Sequence, residues 1–367
     1  MLIEGLRIRD FRNIEKAFIE PHHRFNVFWG LNGQGKTNIL EAIYLLSAVK
    51  SFRPQTNNDL IRFHSLNAQL EAKVDRGGSE RIVRLEIHSK GKAVFLNDQK
   101  VKNLRDFFGS INVVMFGPED VRLLKGGPSA RRKFIDRAIF NAFPGFAFVS
   151  QQYEEVLKQR NALLKKEAKI DPILLSTYND QFVEFGSEIV FRRLTFLETF
   201  IPTLQSTFED IFDASFTAHM EYSSQWLGEA KTQKDIADHL DRALENSVAE
   251  ERSRRFTVVG PHRDDLSTQL NGKSLKAFGS QGQHRGFVLA MKIAEIKYLK
   301  ERYHFSPILL LDDVSSELDR SRNQFLFEFI RHEMDGQVFI TTTHRDYILL
   351  DEDLRYWEID GGQIKPD

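Results

Sequence analysis

The stretch GLNGQGKT, residues 30–37, decides the fold of this chain, and it lies between a β-rich run, RFNVFW (24–29), and a helical pattern, NILEAIYLL (38–46). Its glycines and its Lys36-Thr37 pair fit the phosphate-loop pattern G-x-x-x-x-G-K-[ST], in the strand-then-helix context that supports it. In such a loop, backbone N–H groups point at phosphate oxygens, the lysine reaches the β- and γ-phosphates, and the threonine hydroxyl ligates Mg²⁺. The stretch therefore predicts a binding site for a nucleoside triphosphate.

A phosphate loop needs a carboxylate on a second strand, and PILLLDDVSSELD (307–319) supplies it. Asp312 ends an apolar run and would meet the metal, while Asp313 beside it is the candidate base for the attacking water. More than two thirds of the chain separates Lys36 from Asp312. We therefore expect a large insertion within the nucleotide-binding domain.

Composition limits the number of domains and the classes of function that are possible. The chain of 367 residues is 41% apolar, which suits about two domains at roughly 150 residues each. With 51 Lys+Arg against 52 Asp+Glu the net charge is -1, so nucleic-acid binding would depend on local basic patches. The lack of cysteine excludes disulfides and thiol nucleophiles. Neither a signal peptide nor an apolar run of the ~18 residues that span a bilayer is present, which favours a cytoplasmic protein without a membrane partner.

The order of patterns along the chain predicts an α/β fold. Strand patterns fill the first quarter, INVVMF (111–116) is another strand candidate, and Asn271-Gly272 marks a hairpin turn after a further strand predicted at FTVVG (256–260). Between them, AFVSQQYEEVLKQRNALLKKEA (147–168) and the stretch after Asp171-Pro172 have helical periodicity and predict an antiparallel hairpin with arms of about 30 Å. We expect a head formed by residues 1–118 and 255–367, interrupted by a mainly helical domain, 119–254.

Two later motifs resemble those of ABC-type ATPases. Ser280-Gln281-Gly282-Gln283 opens a helix and resembles the signature loop, in which a serine hydroxyl and a helix N-terminus face a γ-phosphate. VSSELD (314–319) resembles the D-loop, and His344 follows a strand pattern as the switch histidine does. That resemblance implies that ATP lies between the phosphate loop of one copy and the signature loop of a second copy.

Motifs across the whole chain resemble the RecF family of bacterial recombination-mediator ATPases, which is related to the heads of SMC-type proteins. They are LRIRDFRNI (6–14), GLNGQGKTNILEAIY (30–44), FGPEDVRLLKGGPSARRKFID (116–136), VVGPHRDDL (258–266), SQGQHR (280–285) and LLLDDVSSELD (309–319). The resemblance implies an ABC-type head with a β-rich lobe and an inserted helical arm.

The same resemblance implies the activity and its partners. It implies a slow, DNA-stimulated ATPase that uses ATP and Mg²⁺, forms an ATP-dependent homodimer and associates with the nucleoid in the cytoplasm. It also implies binding to double-stranded DNA and to ssDNA–dsDNA junctions, where RecR and RecO help it to promote RecA loading. Asp313 stands where most ABC ATPases have glutamate, and its shorter side chain is one reason to expect slow hydrolysis.

The resulting site prediction has three groups. The catalytic residues are Lys36, Asp312, Asp313 and His344, and the metal ligands are Thr37 and Asp312. The nucleotide-binding residues are Gly30, Asn32, Gly33, Gly35, Lys36, Thr37, Asn38, Arg12, Asn13, Ser280, Gly282 and Gln283. The glutamine loop of ABC ATPases has no counterpart after INVVMF (111–116), where Glu119 or Asp120 of GPED is the candidate substitute. The GPHRDD motif (260–265) receives no role.

DNA contact would come from basic clusters around the insert, which could equally be solvated helix faces. These cations are Arg122, Lys125, Arg131, Arg132, Lys133, Arg137, Lys158, Arg160, Lys165, Lys166, Arg252, Arg254 and Arg255. Three other functions stay open: an ABC transporter motor, an SMC-type structural ATPase with long coiled coils, and a nucleotide-binding adaptor without meaningful hydrolysis. The insert and the DFRN start argue against the motor, and the insert is too short for a long coil.

Overall fold

The computed structural model describes residues 1–53, 55–121, 123–165, 171–212 and 215–367. They form two compact units. The head unit consists of Met1–Val121 and Arg285–Asp367, and the arm unit of Arg122–His284. Among the helices within these ranges, none combines the length and apolarity needed to cross a membrane.

The first part of the head unit is mainly β-structure, and the arm unit is mainly helical. The elements of the first part are β1 Leu2–Phe11, β2 Ile14–Ile19, β3 Phe25–Trp29, α1 Lys36–Ala48, β4 Asn67–Arg76, β5 Ser79–His88, β6 Gly91–Leu96, β7 Gln99–Lys100, β8 Val113–Phe116 and α2 Pro118–Val121. Those of the arm unit are α3 Pro128–Ala142, α4 Phe146–Leu164, α5 Pro172–Ile211, β9 Ala218–Ser223, α6 Gln233–Arg254, β10 Asp265–Leu270, β11 Lys273–Ser274 and α7 Leu275–Phe278.

One long helix, α8 Gln281–Tyr303, begins in the arm unit and ends in the head unit. The head unit is completed by β12 Ile308–Asp312, α9 Val314–Glu317, α10 Arg320–His332, β13 Val338–Thr342, β14 Leu354–Asp360 and β15 Gln363–Pro366. The mixed α/β head predicted from the sequence is confirmed.

A largely parallel sheet carries the motifs of the head unit. Its strand order is β15-β14-β3-β13-β12-β8, and only β15 pairs antiparallel. All residues of β12 and β13 are buried, as expected for central strands covered on both faces. Because β3, β12 and β13 are parallel neighbours, their carboxyl ends lie at one edge of the sheet. That edge therefore gathers Gly30, Asp312 and His344, which follow or end these three strands.

The second sheet of the head unit is antiparallel, with the order β2-β1-β4-β5-β6-β7. Along β1 and β4, buried apolar residues such as Leu6, Ile8, Leu70 and Ala72 alternate with more exposed ones. These side chains pack in one core with the apolar residues of α1 and of the parallel sheet. The core holds α1, and with it the phosphate loop, in place.

The arm unit contains the predicted helical hairpin, but its arms are unequal. Asp171 caps α5 by accepting hydrogen bonds from the backbone N–H groups of Ile173 and Leu174, as its Asp-Pro start predicted. Helix α4 has 19 residues and α5 has 40, or about 28 Å and 60 Å at 1.5 Å per residue. The expected length of about 30 Å is therefore wrong for α5. Residues 166–168, predicted to continue α4, lie outside the described residues.

The strand predicted at residues 256–260 is wrong. Side chains take the hydrogen bonds there: the Thr257 N–H donates to Asn161 Oδ1 at 2.7 Å, and the Val258 N–H donates to Glu251 Oε1 at 3.2 Å. A sheet neighbour is not needed when these donors are satisfied. The hairpin turn at Asn271-Gly272 is confirmed, with φ of 49° and 72° as a type I′ turn requires.

Strands β9, β10 and β11 form a three-stranded sheet inside the arm unit. The pairing of β10 with β9 runs from Asp265 opposite Ser223 to Leu270 opposite Ala218. Residues 255–284, which the sequence analysis assigned to the head, are therefore part of the arm unit in the structure.

Candidate nucleotide site

The phosphate loop curls tightly between β3 and α1, and its glycines have conformations that other residues rarely adopt. Gly30, Gly33 and Gly35 have φ of 149°, 82° and 114°. A Cβ at Gly30 would lie 2.4 Å from the Ile359 carbonyl oxygen, and one at Gly35 would lie 2.7 Å from Asn13 Oδ1. Glycine is therefore required at both positions by backbone conformation and by space. Asn32 and Gly33, by contrast, are exposed on the loop.

Lys36 folds back over the loop that precedes it. Its Nζ donates hydrogen bonds to the carbonyl oxygens of Gly30 at 2.7 Å and Leu31 at 2.8 Å. Burial lowers the pKa of Lys36, against the opposing effect of the nearby Asp313 and Asp312 carboxylates. The ammonium group is thus held over the loop by neutral acceptors, which a phosphate oxygen can replace.

Thr37 and Asp312 meet across 275 residues of sequence. The Thr37 hydroxyl donates to Asp312 Oδ1 at 2.8 Å, and the Thr341 hydroxyl donates to the same oxygen at 2.8 Å. Mg²⁺ prefers hard oxygen ligands and binds to proteins through a few of them, together with water and substrate phosphates. The hydroxyl of Thr37 and the carboxylate of Asp312 are such ligands, so the residues present fit Mg²⁺. The sequence analysis did not single out Thr341, which fixes the carboxylate from the neighbouring strand.

Asp313 has the left-handed backbone conformation, with φ of 50° and ψ of 30°. Its backbone N–H donates to Thr341 Oγ1 at 3.0 Å and lies 3.2 Å from the Thr341 carbonyl oxygen. Aspartate tolerates this conformation better than most residues other than glycine. The turn places Asp313 directly beyond the metal-ligand candidate Asp312, beside the phosphate loop.

The β1–β2 turn supports the phosphate loop from the side. Asn13 Nδ2 donates to the Gln34 carbonyl oxygen at 2.9 Å, and Asn38 Nδ2 donates to Asn13 Oδ1 at 2.8 Å. The Arg12 guanidinium makes a bidentate contact with Glu41 of α1, both bonds measuring 2.9 Å, and Glu41 is fully buried. Asn13 and Asn38 thus lie against the loop, whereas Arg12 is paired with the helix behind it.

Gln34 connects the loop to the hairpin of β14 and β15. Its carbonyl oxygen accepts from the Gly362 N–H at 2.9 Å, and its Oε1 accepts from the Gly361 N–H at 2.6 Å. Sequence reasoning missed Gln34 and Glu41 as supporting residues. The sequence offered one signal, the adjacent turn glycines Gly361 and Gly362. It did not indicate that Gln34 is their partner, because the two segments are distant along the chain.

His344 lies just beyond β13, at the same edge of the sheet as the phosphate loop. Its backbone N–H lies 3.2 Å from Thr342 Oγ1, and the Thr342 hydroxyl donates to the His344 carbonyl oxygen at 2.8 Å. The exposed ring meets Tyr347 edge to face, with 5.5 Å between ring centroids. Residues 342–344 therefore form a local turn that presents the imidazole at this edge.

The GPED turn lies against Asp312, but its carboxylates have different surroundings. Asp120 Oδ2 accepts from the Gly117 N–H at 3.0 Å, and Asp120 Oδ1 lies 3.2 Å from the buried Lys292 Nζ. A Cβ at Gly117 would lie 3.5 Å from Asp312 Cβ. Asp120 therefore stabilises the GPED turn next to Asp312, the candidate metal ligand. Glu119 is exposed.

The signature-like residues lie in the arm unit and cap α8. The Ser280 N–H donates to Gln283 Oε1 at 2.8 Å, and the Gln283 N–H donates to Ser280 Oγ at 3.2 Å. This reciprocal pair is a capping box, which satisfies two backbone donors at a helix N-terminus. Ser280 itself is exposed. Gly282 lies within the first turn of the capped helix.

The structure corrects part of the proposed basic surface. Arg160 is buried and pairs with Glu251 at 2.6 Å, while Arg131 pairs with Asp265 at 2.7 Å and also bonds the Gly126 carbonyl oxygen. These guanidinium groups are internal and are wrong as DNA contacts. Arg122 and Lys166 lie outside the described residues. The exposed members of the set are Lys125, Lys133, Lys158, Lys165, Arg252, Arg254 and Arg255.

GPHRDD belongs to a buried polar network in the arm unit. Asp264 accepts hydrogen bonds from Tyr222 at 2.6 Å and from Trp226 at 3.0 Å, and burial raises its pKa. Arg193 pairs with Asp136 at 2.8 Å and donates to the Pro261 carbonyl oxygen at 2.9 Å. The motif therefore has a structural role in the arm unit, which the sequence analysis left open.

The chain resembles known proteins over nearly its whole length. A family model described as RecF/RecN/SMC N terminal domain matches residues 2–355. The chain is 38% identical over 366 residues to the DNA replication and repair protein RecF of Geotalea daltonii, covering 99% of this chain and 100% of the relative. It is 40% identical over 366 residues to the protein of the same name from Citrifermentans bemidjiense, with the same coverage of both chains.

Two solved structures are similar over nearly the whole chain. They are described as the recombination mediator protein RecF-ATPrS and RecF-ATP in the RecFOR pathway. Both have a TM-score of 0.91, at 31% and 30% identity, and they cover 99% and 100% of this chain and 97% of the solved one. A head structure of an Smc protein bound to a domain of ScpA has a TM-score of 0.57 at 16% identity, which shows a shared fold alone.

Proposed function

The chain belongs to the RecF family, and on that premise we propose that it is an ATP-dependent recombination mediator acting in DNA replication and repair. In this proposal it binds double-stranded DNA, dimerises when it binds ATP and hydrolyses the ATP slowly. With RecR and RecO it promotes the loading of RecA at gaps, where single-stranded and double-stranded DNA meet.

The observation that carries the proposal is the contact between Thr37 and Asp312, beside the loop that Lys36 covers. Backbone N–H groups of the loop and the N-terminus of α1 favour a triphosphate there. Lys36 would exchange its carbonyl partners for phosphate oxygens. Thr37 and Asp312 would hold Mg²⁺, which neutralises charge on the phosphates.

Hydrolysis would use a water molecule oriented by Asp313 and a γ-phosphate contacted by His344. A slow rate is consistent with aspartate at position 313, since its carboxylate reaches one methylene less far than glutamate. Substitution Asp313→Glu is expected to increase turnover at unchanged ATP affinity. An unchanged turnover with intact ATP binding would contradict the role of reach.

The ATP-dependent dimer is supported by the form of the Ser280 turn. Ser280 is exposed and precedes a 23-residue helix, so its O–H group and the positive end of the helix dipole can act on an anion, while the capping box already occupies the backbone N–H groups of Ser280 and Gln283. We therefore place the γ-phosphate of one copy against Ser280, Gly282 and Gln283 of the second copy.

The exposed cations of the arm unit support DNA binding that is independent of sequence. Each phosphate neutralised by a lysine or arginine releases counterions, so affinity should fall steeply with salt. We propose Lys158, Lys165 and Arg252 among the contacts. Replacing these three by glutamine should lower both duplex affinity and its dependence on salt, whereas Lys50→Gln in the head unit should leave both unchanged.

Light scattering tests the dimer and the nucleotide site together. Wild-type protein, Lys36→Arg and Ser280→Arg are measured with and without ATP and Mg²⁺, and ATP binding is measured in parallel. Wild-type protein should dimerise only with ATP. Ser280→Arg should bind ATP yet stay monomeric. If Ser280→Arg dimerises normally with ATP, the sandwich arrangement is wrong, and if wild-type protein does not bind ATP, the proposed function fails.

A further inference from the structure

Three potential metal ligands lie at the edge of the parallel sheet opposite the phosphate loop. His22 and His23 precede β3, and Asp353 precedes β14, the parallel neighbour of β3. One ligand atom from each side chain lies within 4.8 Å of the other two. The five residues of β3 span about 16 Å at 3.3 Å per residue, so this group is separate from the site at Gly30.

The backbone that carries the three side chains is held firmly. Buried Asn26 accepts from the His22 N–H at 2.7 Å and donates to the His22 carbonyl oxygen at 2.8 Å. Gln337, also buried, donates to the same carbonyl oxygen at 2.8 Å. The Phe25 N–H donates to the Asp353 carbonyl oxygen at 3.0 Å, which joins the two segments. Because the backbone is fixed in this way, rotation of the His22, His23 and Asp353 side chains is the movement needed to bring the three ligand atoms together.

We propose that His22, His23 and Asp353 bind a divalent transition-metal ion, with Zn²⁺ as the best match. Imidazole nitrogen suits Zn²⁺, Co²⁺ and Ni²⁺, whereas Mg²⁺ prefers oxygen ligands alone. Bonds of about 2.1 Å in tetrahedral geometry place ligand atoms about 3.4 Å apart. The ligand atoms, which lie within 4.8 Å of one another, therefore close by up to about 1.4 Å when the ion binds, and water completes its coordination.

The charges around the site limit its affinity. The Arg24 guanidinium donates to the Arg331 carbonyl oxygen at 2.6 Å and lies over the Phe25 ring. The Arg355 guanidinium donates to the Glu20 carbonyl oxygen at 3.2 Å. Both cations are held by other partners, but they stay close and oppose a further positive charge. The single carboxylate offsets them only in part, so these cations are expected to weaken the binding of Zn²⁺.

Metal binding would break a hydrogen bond between His22 and Arg24. His22 Nδ1 accepts from the Arg24 N–H at 3.3 Å. A metal on Nδ1 displaces that N–H, and a metal on Nε2 places the ring proton on Nδ1, which also ends the bond. The Arg24 amide therefore loses this acceptor in either case, and its amide signal in NMR reports binding at this site.

Titration of chelator-treated, full-length protein tests the proposal without nucleotide. ZnCl₂ is titrated by calorimetry, and CoCl₂ is followed by its visible absorption, which is strong for tetrahedral coordination. The variants are His23→Ala and Asp353→Asn, and His88→Ala serves as the control because its half-exposed imidazole lies 3.8 Å from Glu86 and is not part of the proposed site. Asparagine tolerates the positive φ of position 353.

The expected result is one Zn²⁺ per chain, a higher melting temperature with the metal, and no displacement by excess Mg²⁺. His23→Ala and Asp353→Asn should each weaken binding by about tenfold or more, consistent with the loss of one of three ligands, and His88→Ala should leave it unchanged. Binding that is absent from wild-type protein, or that is equal in His23→Ala and His88→Ala, would overturn the assignment. Either outcome leaves the ATP site untested, so the two proposals fail independently.

Discussion

The head unit and the arm unit both bury charged groups, but the partners of those groups differ. In the head unit, Lys36 is held by two neutral carbonyl oxygens, and Asp312 accepts from two hydroxyl groups. In the arm unit, Arg160 and Arg193 each pair with a carboxylate and with further acceptors. Lys36 and Asp312 can exchange partners with a ligand, whereas Arg160 and Arg193 are matched internally. A buried charge held by neutral groups therefore indicates a binding site, and one paired with an opposite charge indicates structural support.

Glu251→Gln tests the structural half of this comparison and has the largest expected effect. It leaves the Arg160 guanidinium buried, with both side chains only 2% exposed, without its carboxylate. We expect a loss of about 3–5 kcal/mol in the free energy of unfolding, measured in urea. Glu250→Gln, on the same helix, removes the exposed partner of Arg254 and should cost less than about 1 kcal/mol.

The double variant Arg160→Met/Glu251→Met sharpens this test. Replacement of both ions by apolar groups removes the buried charge and should recover much of the lost stability. If Glu251→Gln and Glu250→Gln prove equally stable, the inference that the Arg160–Glu251 pair stabilises the arm unit is wrong.

Lys36→Met tests the functional half of the comparison. Loss of a positioned cation at a transferring phosphate should lower ATP turnover by about a hundredfold or more. The free energy of unfolding should change little, because only two carbonyl contacts are lost. Turnover and urea unfolding are measured for this variant and for Lys50→Met. Lys50 is exposed and lies just after the end of α1. A large loss of stability with normal turnover in Lys36→Met would show that Lys36 has a structural role and not a functional one.

His262 makes the arm unit sensitive to acid. Burial, together with the neighbouring Arg263, Arg132 and Arg160, lowers the pKa of His262 to about 4, against the opposing effect of its hydrogen bond to the Thr257 carbonyl oxygen. The unfolded pKa is about 6.5, so the unfolded state binds more protons between these values and stability is lost as the pH falls through that window. From pH 7 to pH 5 the contribution of this group falls by about 2 kcal/mol.

Urea unfolding at both pH values checks this contribution. His262→Gln removes the titrating group, so the difference in stability between pH 7 and pH 5 should be smaller than in wild-type protein. His219→Gln, at an exposed histidine of the same unit, should keep the wild-type difference. An equal difference in all three proteins would show that His262 does not titrate in this range.

The smallest expected effect concerns the link between α8 and the GPED turn. Lys292 Nζ is buried and lies 3.2 Å from Asp120 and 3.8 Å from Glu295. Asp120→Asn and Lys292→Met should each lower ATP turnover, because the turn lies beside Asp312. A double-mutant cycle should give a coupling of about 1 kcal/mol in turnover, and exposed Glu119→Gln should match wild-type protein. Additive effects would show that the ion pair does not act through the turn.

The sequence was sufficient to predict those parts of the site that are formed by residues adjacent in the chain. The loop from Gly30 to Thr37 and the strand ending at Asp312 were predictable, because glycine placement and apolar runs are local patterns. It was insufficient where a partner is distant. Arg160 looked like a surface cation on a helix, since nothing in the sequence indicates that Glu251, 91 residues away, buries and pairs with it. Residues 256–260 looked like a strand for the same reason, because Asn161 and Glu251 supply their hydrogen bonds.

The contacts of Gln34 have a consequence for protein synthesis. The loop that begins at Gly30 is made early. The strand that carries Asp312 follows 275 residues after Thr37, and the turn glycine Gly361 follows 327 residues after Gln34. A nascent polypeptide therefore carries an incomplete nucleotide pocket through most of its translation. Unfinished chains therefore lack the Thr37–Asp312 contact and the glycine turn that complete this loop.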